Sequence, residues 1–214
     1  MSVLKLFWED PYRTELDNVR ITNVDGETVT VDRTILYAFS GGQESDAGWL
    51  GAHAVTEARK IDGQDIAYMV PGHTFAVGDV TSMRIDWARR YALMRLHFAA
   101  ELVLELMYRR FAGIEKIGAH IAADKSRIDF VWPESIGPVL PEVAAEVNAL
   151  VDRDLPVISE FSDPGTQRRY WKIDEFAQVA CGGTHVRRTG EVGHVRLKRD
   201  NIGKGKQRVN IYLA

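Results

Sequence analysis

Residues 86–111 read DWARRYALMRLHFAAELVLELMYRRF, and the chain changes character at this stretch. Trp87, Tyr91, Met94, Phe98, Leu102 and Leu106 recur at intervals of three or four, the period of one helix face. Asp86 is a good N-cap residue, and Gly113 supplies a stop. The spacing predicts a helix from Asp86 to about Phe111.

The segment before this helix reads as β. Val19–Val24 and Thr28–Val31 flank Asp25-Gly26, a hairpin turn signal between β-branched runs. Further strand-like pieces are Ala52–Ala58, Asp65–Val70 and Asp79–Ile85, separated by Asp62-Gly63, Pro71-Gly72 and Gly78-Asp79. Short strands at this spacing predict a small barrel. Ser40–Gly48, SGGQESDAG, is too rich in glycine and polar residues for a strand and reads as a loop.

After the helix the pattern is mixed. A strand pair is expected at Lys116–Ile121 and Ser126–Val131. Pro141–Leu155 reads as an amphipathic helix with Val143, Val147, Leu150 and Val151 inward. Pro156–Phe161 reads as a strand, and Gln167–Phe176 as a short helix or extended link. Val195 and Leu197, then Val209, Ile211 and Leu213, alternate with polar residues in a closing hairpin. The resulting expectation is an α+β chain with a β-barrel domain at residues 1–85 and a second domain at 86–214.

Composition is that of an ordinary globular protein, 45% hydrophobic and 27% charged over 214 residues. The first residues carry Glu9, Asp10 and Arg13 and do not read as a signal peptide. No run of about 18 apolar residues occurs, which excludes a conventional transmembrane helix. One cysteine permits no internal disulfide, and the expected compartment is the reducing cytoplasm.

The net charge of −3 is unevenly distributed. Residues 187–208 hold eight basic residues against Glu191 and Asp200, a local +6 that leaves −9 for the rest. Such a patch suits a polyanion docking at one place, although a solvated hairpin has the same composition.

Two short motifs carry chemistry. On a helix, His97 and Glu101 are one turn apart and project to one side. Cys181-Gly-Gly-Thr-His185 places the only thiol four residues before a second imidazole, with glycines that let the backbone bend. Alone, His97 reads as a core histidine and Cys181 as a small buried hydrophobe. Together they offer sulfur, nitrogen and oxygen donors that suit Zn2+.

These motifs resemble those of the freestanding alanyl-tRNA editing proteins (AlaX type), which are related to the editing domains of alanyl- and threonyl-tRNA synthetases. The family pattern is a Gly-rich loop ending in GGQ-x-x-D-x-G, an HxxxH helix motif, and a CxxxH motif often followed by TGE-x-G. Here they stand as Gly41–Gly48, His97–Glu101, and Cys181–His185 followed by Thr189–Gly193. The ending Lys204-Gly-Lys-Gln-Arg-Val209 is also similar, and the likeness runs from about residue 5 to the C-terminus.

The resemblance implies an N-terminal barrel followed by a two-layer α/β editing domain of the type common to both synthetases. It implies a metal-dependent hydrolase acting in trans on the ester of tRNA(Ala) mischarged with serine, and in some members glycine. Its partner would be the acceptor end of the aminoacylated tRNA, with no membrane and no obligate protein partner. By likeness, His97, Glu101, Cys181 and His185 are the metal residues, with His97 and Glu101 also catalytic. Gly41, Gly42, Gln43, Asp46, His120 and Thr184 would border the substrate. Arg196, Lys198, Lys204, Lys206 and Arg208 would hold acceptor-stem phosphates.

One departure stands out: the second histidine of HxxxH is Glu101 here. Three readings stay open, namely a carboxylate ligand, a general base working through water, and a lost metal or activity. A deacylase for another mischarged tRNA and a tRNA-binding module without catalysis are the competing functions.

Overall fold

The computed structural model describes residues 2–61, 65–203 and 205–214. The turn expected at Asp62-Gly63 and the side chain of Lys204 lie outside the described residues. The chain is α+β and forms two compact units, Met1–Ser40 with Glu44–Tyr91, and Gly41–Gln43 with Ala92–Ala214.

In the first unit the strands are β1 (Leu4–Lys5), β2 (Glu15–Asp25), β3 (Thr28–Val31), β4 (Arg33–Thr34), β5 (Gly48–Leu50), β6 (His53–Val55), β7 (Glu57–Lys60), β8 (Ile66–Met69) and β9 (Val80–Ile85). A short parallel pair joins β1 to β4. The other seven form an antiparallel sheet in the order β6-β5-β9-β2-β3-β8-β7. Its two ends, β6 and β7, are successive pieces of one segment that bends at Thr56, whose N–H donates to Met69 O at 3.0 Å. One segment therefore pairs on both sides and curls the sheet into the expected barrel, leaving little open edge.

Ile21, Val29, Ile35, Leu50, Ile66, Tyr68 and Met83 fill its interior. Tyr68 is buried with its hydroxyl donating to Thr34 Oγ1 at 2.6 Å, so its polar tip is satisfied. The strand Gly48–Leu50 was not expected from the sequence.

Asp86 caps α1 (Trp87–Arg110) as expected, its Oδ1 accepting from the Arg89 N–H at 3.1 Å. Burial along α1 is wider than the expected stripe, because Leu93, Leu96, Ala99, Val103 and Met107 are buried as well. A helix enclosed on several sides loses a one-sided pattern.

The second unit contains β10 (Glu115–Ile121), β11 (Ser126–Val131), α2 (Leu140–Asp152), β12 (Ile158–Asp163), β13 (Arg168–Ile173), β14 (Ala177–Ala180), β15 (Val195–Asn201) and β16 (Lys206–Leu213). One sheet runs β10-β11-β16-β15 and the other β12-β13-β14, both antiparallel. The segment Gln167–Phe176, expected to hold a short helix or an extended link, is extended over Arg168–Ile173 and forms the central strand β13. Arg169, Trp171 and Ile173 are buried on one face and alternate with outward Arg168, Tyr170 and Lys172.

Within this unit α1 touches both sheets. Leu96 O accepts from Ser126 Oγ of β11 at 3.0 Å, and Phe98 meets Trp171 of β13 edge to face with centroids 5.2 Å apart. α2 packs beside β15. The Asn148 amide covers the backbone of Val195 on that edge strand, accepting its N–H at 2.8 Å and donating to its carbonyl at 3.3 Å.

Candidate metal centre

His97 and Glu101 lie one turn apart on α1, as an i,i+4 pair should, with Nε2 and Oε1 3.3 Å apart. Cys181 follows β14 directly, and its N–H donates to Arg169 O at 2.9 Å, extending the strand pairing by one residue. The chain then bends through two glycines and brings His185 back. Sγ of Cys181 lies 3.5 Å from His97 Nε2, 3.3 Å from His185 Nε2 and 3.8 Å from Glu101 Oε1.

The donor atoms of His97, Cys181 and His185 all fall within 4.8 Å of one another. Around a tetrahedral zinc with sulfur near 2.3 Å and nitrogen near 2.1 Å, neighbouring S and N donors stand about 3.6 Å apart. The two observed S–N separations, 3.5 and 3.3 Å, fit that edge length. Glu101 stands outside the mutual trio but touches two of its members through Oε1.

The electrostatics of the group are those of two anions beside two imidazoles. Burial works against ionisation of Cys181, but His97 and His185 outweigh it and bring the thiol down to about 6. Burial would likewise raise Glu101, yet the His97 contact and the Trp171 N–H hold it at about 2. Burial disfavours charge on His97, and the adjacent thiolate and carboxylate overcome it, lifting the imidazole to about 10. Thiolate and carboxylate are the forms a divalent cation binds.

The remaining expected substrate residues fall into different settings. Gly41 and Gly42 both have positive φ, 61° and 89°. Gly42 O accepts from the Ile121 N–H at 2.8 Å, so the loop 41–43 lies along the end of β10. A Cβ on Gly42 would stand 2.5 Å from Ala119 O, which only glycine avoids. Gln43 and Thr184 are buried and paired with each other, Nε2 donating to Oγ1 at 2.9 Å and Oε1 accepting the Thr184 N–H at 3.3 Å. This pair ties the Gly-rich loop to the CGGTH segment. His120 is half-buried on β10, opposite Arg127. Asp46 belongs to the barrel unit, where its carboxylate takes Arg90 Nε at 2.9 Å and the Tyr37 N–H at 2.6 Å.

Arg196, Lys198, Lys206 and Arg208 share a sheet face. Register places His120, Arg127, Asn210 and Lys198 in one row across the four strands, and Gly118, Asp129, Arg208 and Asp200 in the next. Directly opposite residues point to the same side. Arg196 and Lys198 are exposed on the edge strand, Arg196 lying 4.6 Å over the Tyr212 ring. Lys206 is exposed as well, whereas Arg208 is bridged to Asp129 at 2.7 and 2.9 Å.

Sequence reasoning missed Trp171 and Ser159, which touch Glu101 and His185. No motif marks either, and only the alternation in Arg168–Ile173 hinted that Trp171 faces inward.

The sequence pattern of the threonyl and alanyl tRNA synthetase second additional domain matches residues 171–210, a span holding both Cys181 and His185. The chain is 33% identical to the alanyl-tRNA editing protein AlaX-M of Pyrococcus horikoshii, over 98% of this chain and 97% of that protein. It is 30% identical to AlaX-M of Saccharolobus solfataricus, over 96% of each. An alanine–tRNA ligase of Pyrobaculum arsenaticum aligns at 30% identity over 91% of this chain, which covers 25% of the ligase. The chain belongs to the AlaX-M family of alanyl-tRNA editing proteins.

Proposed function

We propose that this protein is a cytoplasmic trans-editing hydrolase that removes serine, with glycine as a second substrate, from mischarged tRNA(Ala). The observation that carries the reading is the meeting of His97, Cys181 and His185 at metal-ligand spacing, with a carboxylate on their flank. Three protein donors and an adjacent carboxylate form the pattern of a hydrolytic rather than a purely structural site.

His97, Cys181 and His185 would hold Zn2+. When bound, such an ion supplies a Lewis acid at the ester carbonyl. Glu101 is fixed through Oε2 by Trp171 and turns Oε1 toward the trio, where it would contact the ion as well as accept a proton from the attacking water. The paired Gln43 and Thr184 keep the Gly-rich loop and the CGGTH segment in register. The basic face of the four-stranded sheet would hold acceptor-stem phosphates, giving salt-dependent affinity with little base readout.

The test is deacylation of Ser-tRNA(Ala) by the purified protein, with Gly-tRNA(Ala) and Ala-tRNA(Ala) alongside. Rapid loss of serine with alanine retained is the expected result. Survival of the serine ester at the uncatalysed rate by protein with bound zinc would refute the assignment and favour a binding module.

A further inference from the structure

Ser159 on β12 and Trp171 on β13 are direct cross-strand partners in the three-stranded sheet. Directly opposite residues share a face, and both reach the same cluster. Trp171 is fully buried, and its Nε1–H donates to Glu101 Oε2 at 2.8 Å. Oγ of Ser159 lies 3.0 Å from His185 Nδ1. Each contact falls on the atom of its partner that is turned away from the donor trio. Glu101 presents Oε1 to His97 and Cys181, and His185 presents Nε2 to Cys181.

We infer that the Ser159/Trp171 pair is a positioning platform for the metal centre, and that it makes a carboxylate workable at position 101. The inference rests on the metal reading given above. A free glutamate rotates about its χ angles and offers either oxygen or both. The indole N–H occupies one oxygen and has no acceptor capacity of its own, so a single oxygen, Oε1, remains to face the trio. The ring cannot turn away, because Phe98 meets it edge to face at 5.2 Å. On the other side, Ser159 engages Nδ1 of His185 and leaves Nε2 as the donor toward Cys181. Partners of this kind hold ligand orientation, and losing one commonly lowers metal affinity tenfold to a hundredfold.

The experiment uses the full chain with Co2+ as the probe, following affinity by competition titration and coordination by its visible absorption. Trp171→Phe keeps the packing ring and removes the N–H; Ser159→Ala removes the hydroxyl. A Trp171 analogue with benzothiophene in place of indole removes the N–H at nearly constant volume, so a folding defect in Trp171→Phe would not obscure the result. Each of the three is expected to weaken Co2+ binding at least tenfold and to alter the absorption bands. In a Glu101→Ala background, Trp171→Phe should cost no further affinity, because its effect runs through the carboxylate. Unchanged affinity in either Ser159→Ala or the benzothiophene variant overturns the inference, as does a full additive loss in the Glu101→Ala background. If the wild-type chain binds neither Co2+ nor Zn2+, the metal reading itself has failed, whereas a binding wild type with indifferent variants refutes only the platform.

Discussion

A Cβ placed on Gly183 would lie 2.0 Å from Cε1 and 2.5 Å from Nδ1 of His97. The second glycine of CGGTH is therefore the floor on which the His97 ring rests. Nδ1 of His97 is buried and makes no hydrogen bond to a described residue, so on that side packing against Gly183 holds the ring while Nε2 faces Glu101 and Cys181. Among the described residues, nothing lies within 4 Å of a Cβ placed on its neighbour Gly182. Gly183→Ala is expected to lower stability by about 1–3 kcal/mol through overpacking, and to weaken zinc binding sharply by displacing His97. Gly182→Ala should change neither by more than a small margin. Urea unfolding and metal titration of the two variants check the contrast, and equal behaviour would refute the role given to Gly183.

Glu101→His restores the pattern of the family's helix motif and asks whether the carboxylate is a working part. Trp171 donates to Oε2 at 2.8 Å, and an imidazole cannot offer one acceptor to the indole and a second one to the trio. Deacylation of Ser-tRNA(Ala) is expected to fall tenfold or more in the variant. A faster enzyme would mark Glu101 as a degraded ligand and Trp171 as incidental.

The contrast between motif and partner shows what the sequence could reveal. His97, Glu101, Cys181 and His185 were legible because their residue types and spacings are chemically unusual, and α1 because Asp86 and the apolar period agree. The strand Gly48–Leu50 was hidden because three residues next to a glycine loop carry too little alternation to register. In β13 the buried Arg169 breaks the apolar rhythm that Trp171 and Ile173 would otherwise set. Trp171 and Ser159 reach the site only through strand register, and register is a tertiary property that no local pattern encodes.

Asp46 illustrates the reverse, a motif residue whose side chain is engaged elsewhere. Its carboxylate and the Arg90 guanidinium are both fully buried, and Arg90 Nη1 also donates to Pro11 O at 2.7 Å. Removing one member of such a pair strands the other charge in the interior, at a cost of about 3–5 kcal/mol. Asp46→Ala is expected to unfold at much lower urea. The fraction that does fold should keep the KM of the wild type for Ser-tRNA(Ala). A stable variant with a raised KM would return Asp46 to the substrate.

The exposed basic side chains should act on the RNA backbone alone. Arg196→Ala and Lys198→Ala are each expected to weaken tRNA binding about equally for any acceptor-stem sequence. Each should also reduce the slope of log affinity against log salt by roughly one. Filter binding across a salt series reads both quantities. An effect confined to one tRNA sequence would mean base contacts instead of phosphate contacts.

Asp129 provides a pH signature on the same sheet face. Its neighbours in the row are Gly118, Arg208 and Asp200, and Arg127 lies two residues before it on β11. Burial alone would raise its pKa, but the Arg208 and Arg127 guanidiniums outweigh that and hold it below the ordinary carboxylate value. A carboxyl depressed in the folded state contributes stability above its unfolded pKa of about 3.9 and loses it as pH falls through the folded value. Asp129→Asn should therefore be less stable than the wild type at pH 7. The gap should narrow once the pH drops below about 4. Urea midpoints of the pair measured from pH 7 to pH 3 test this, and a gap that stays constant across the range would show that the ion pairs contribute nothing to folding.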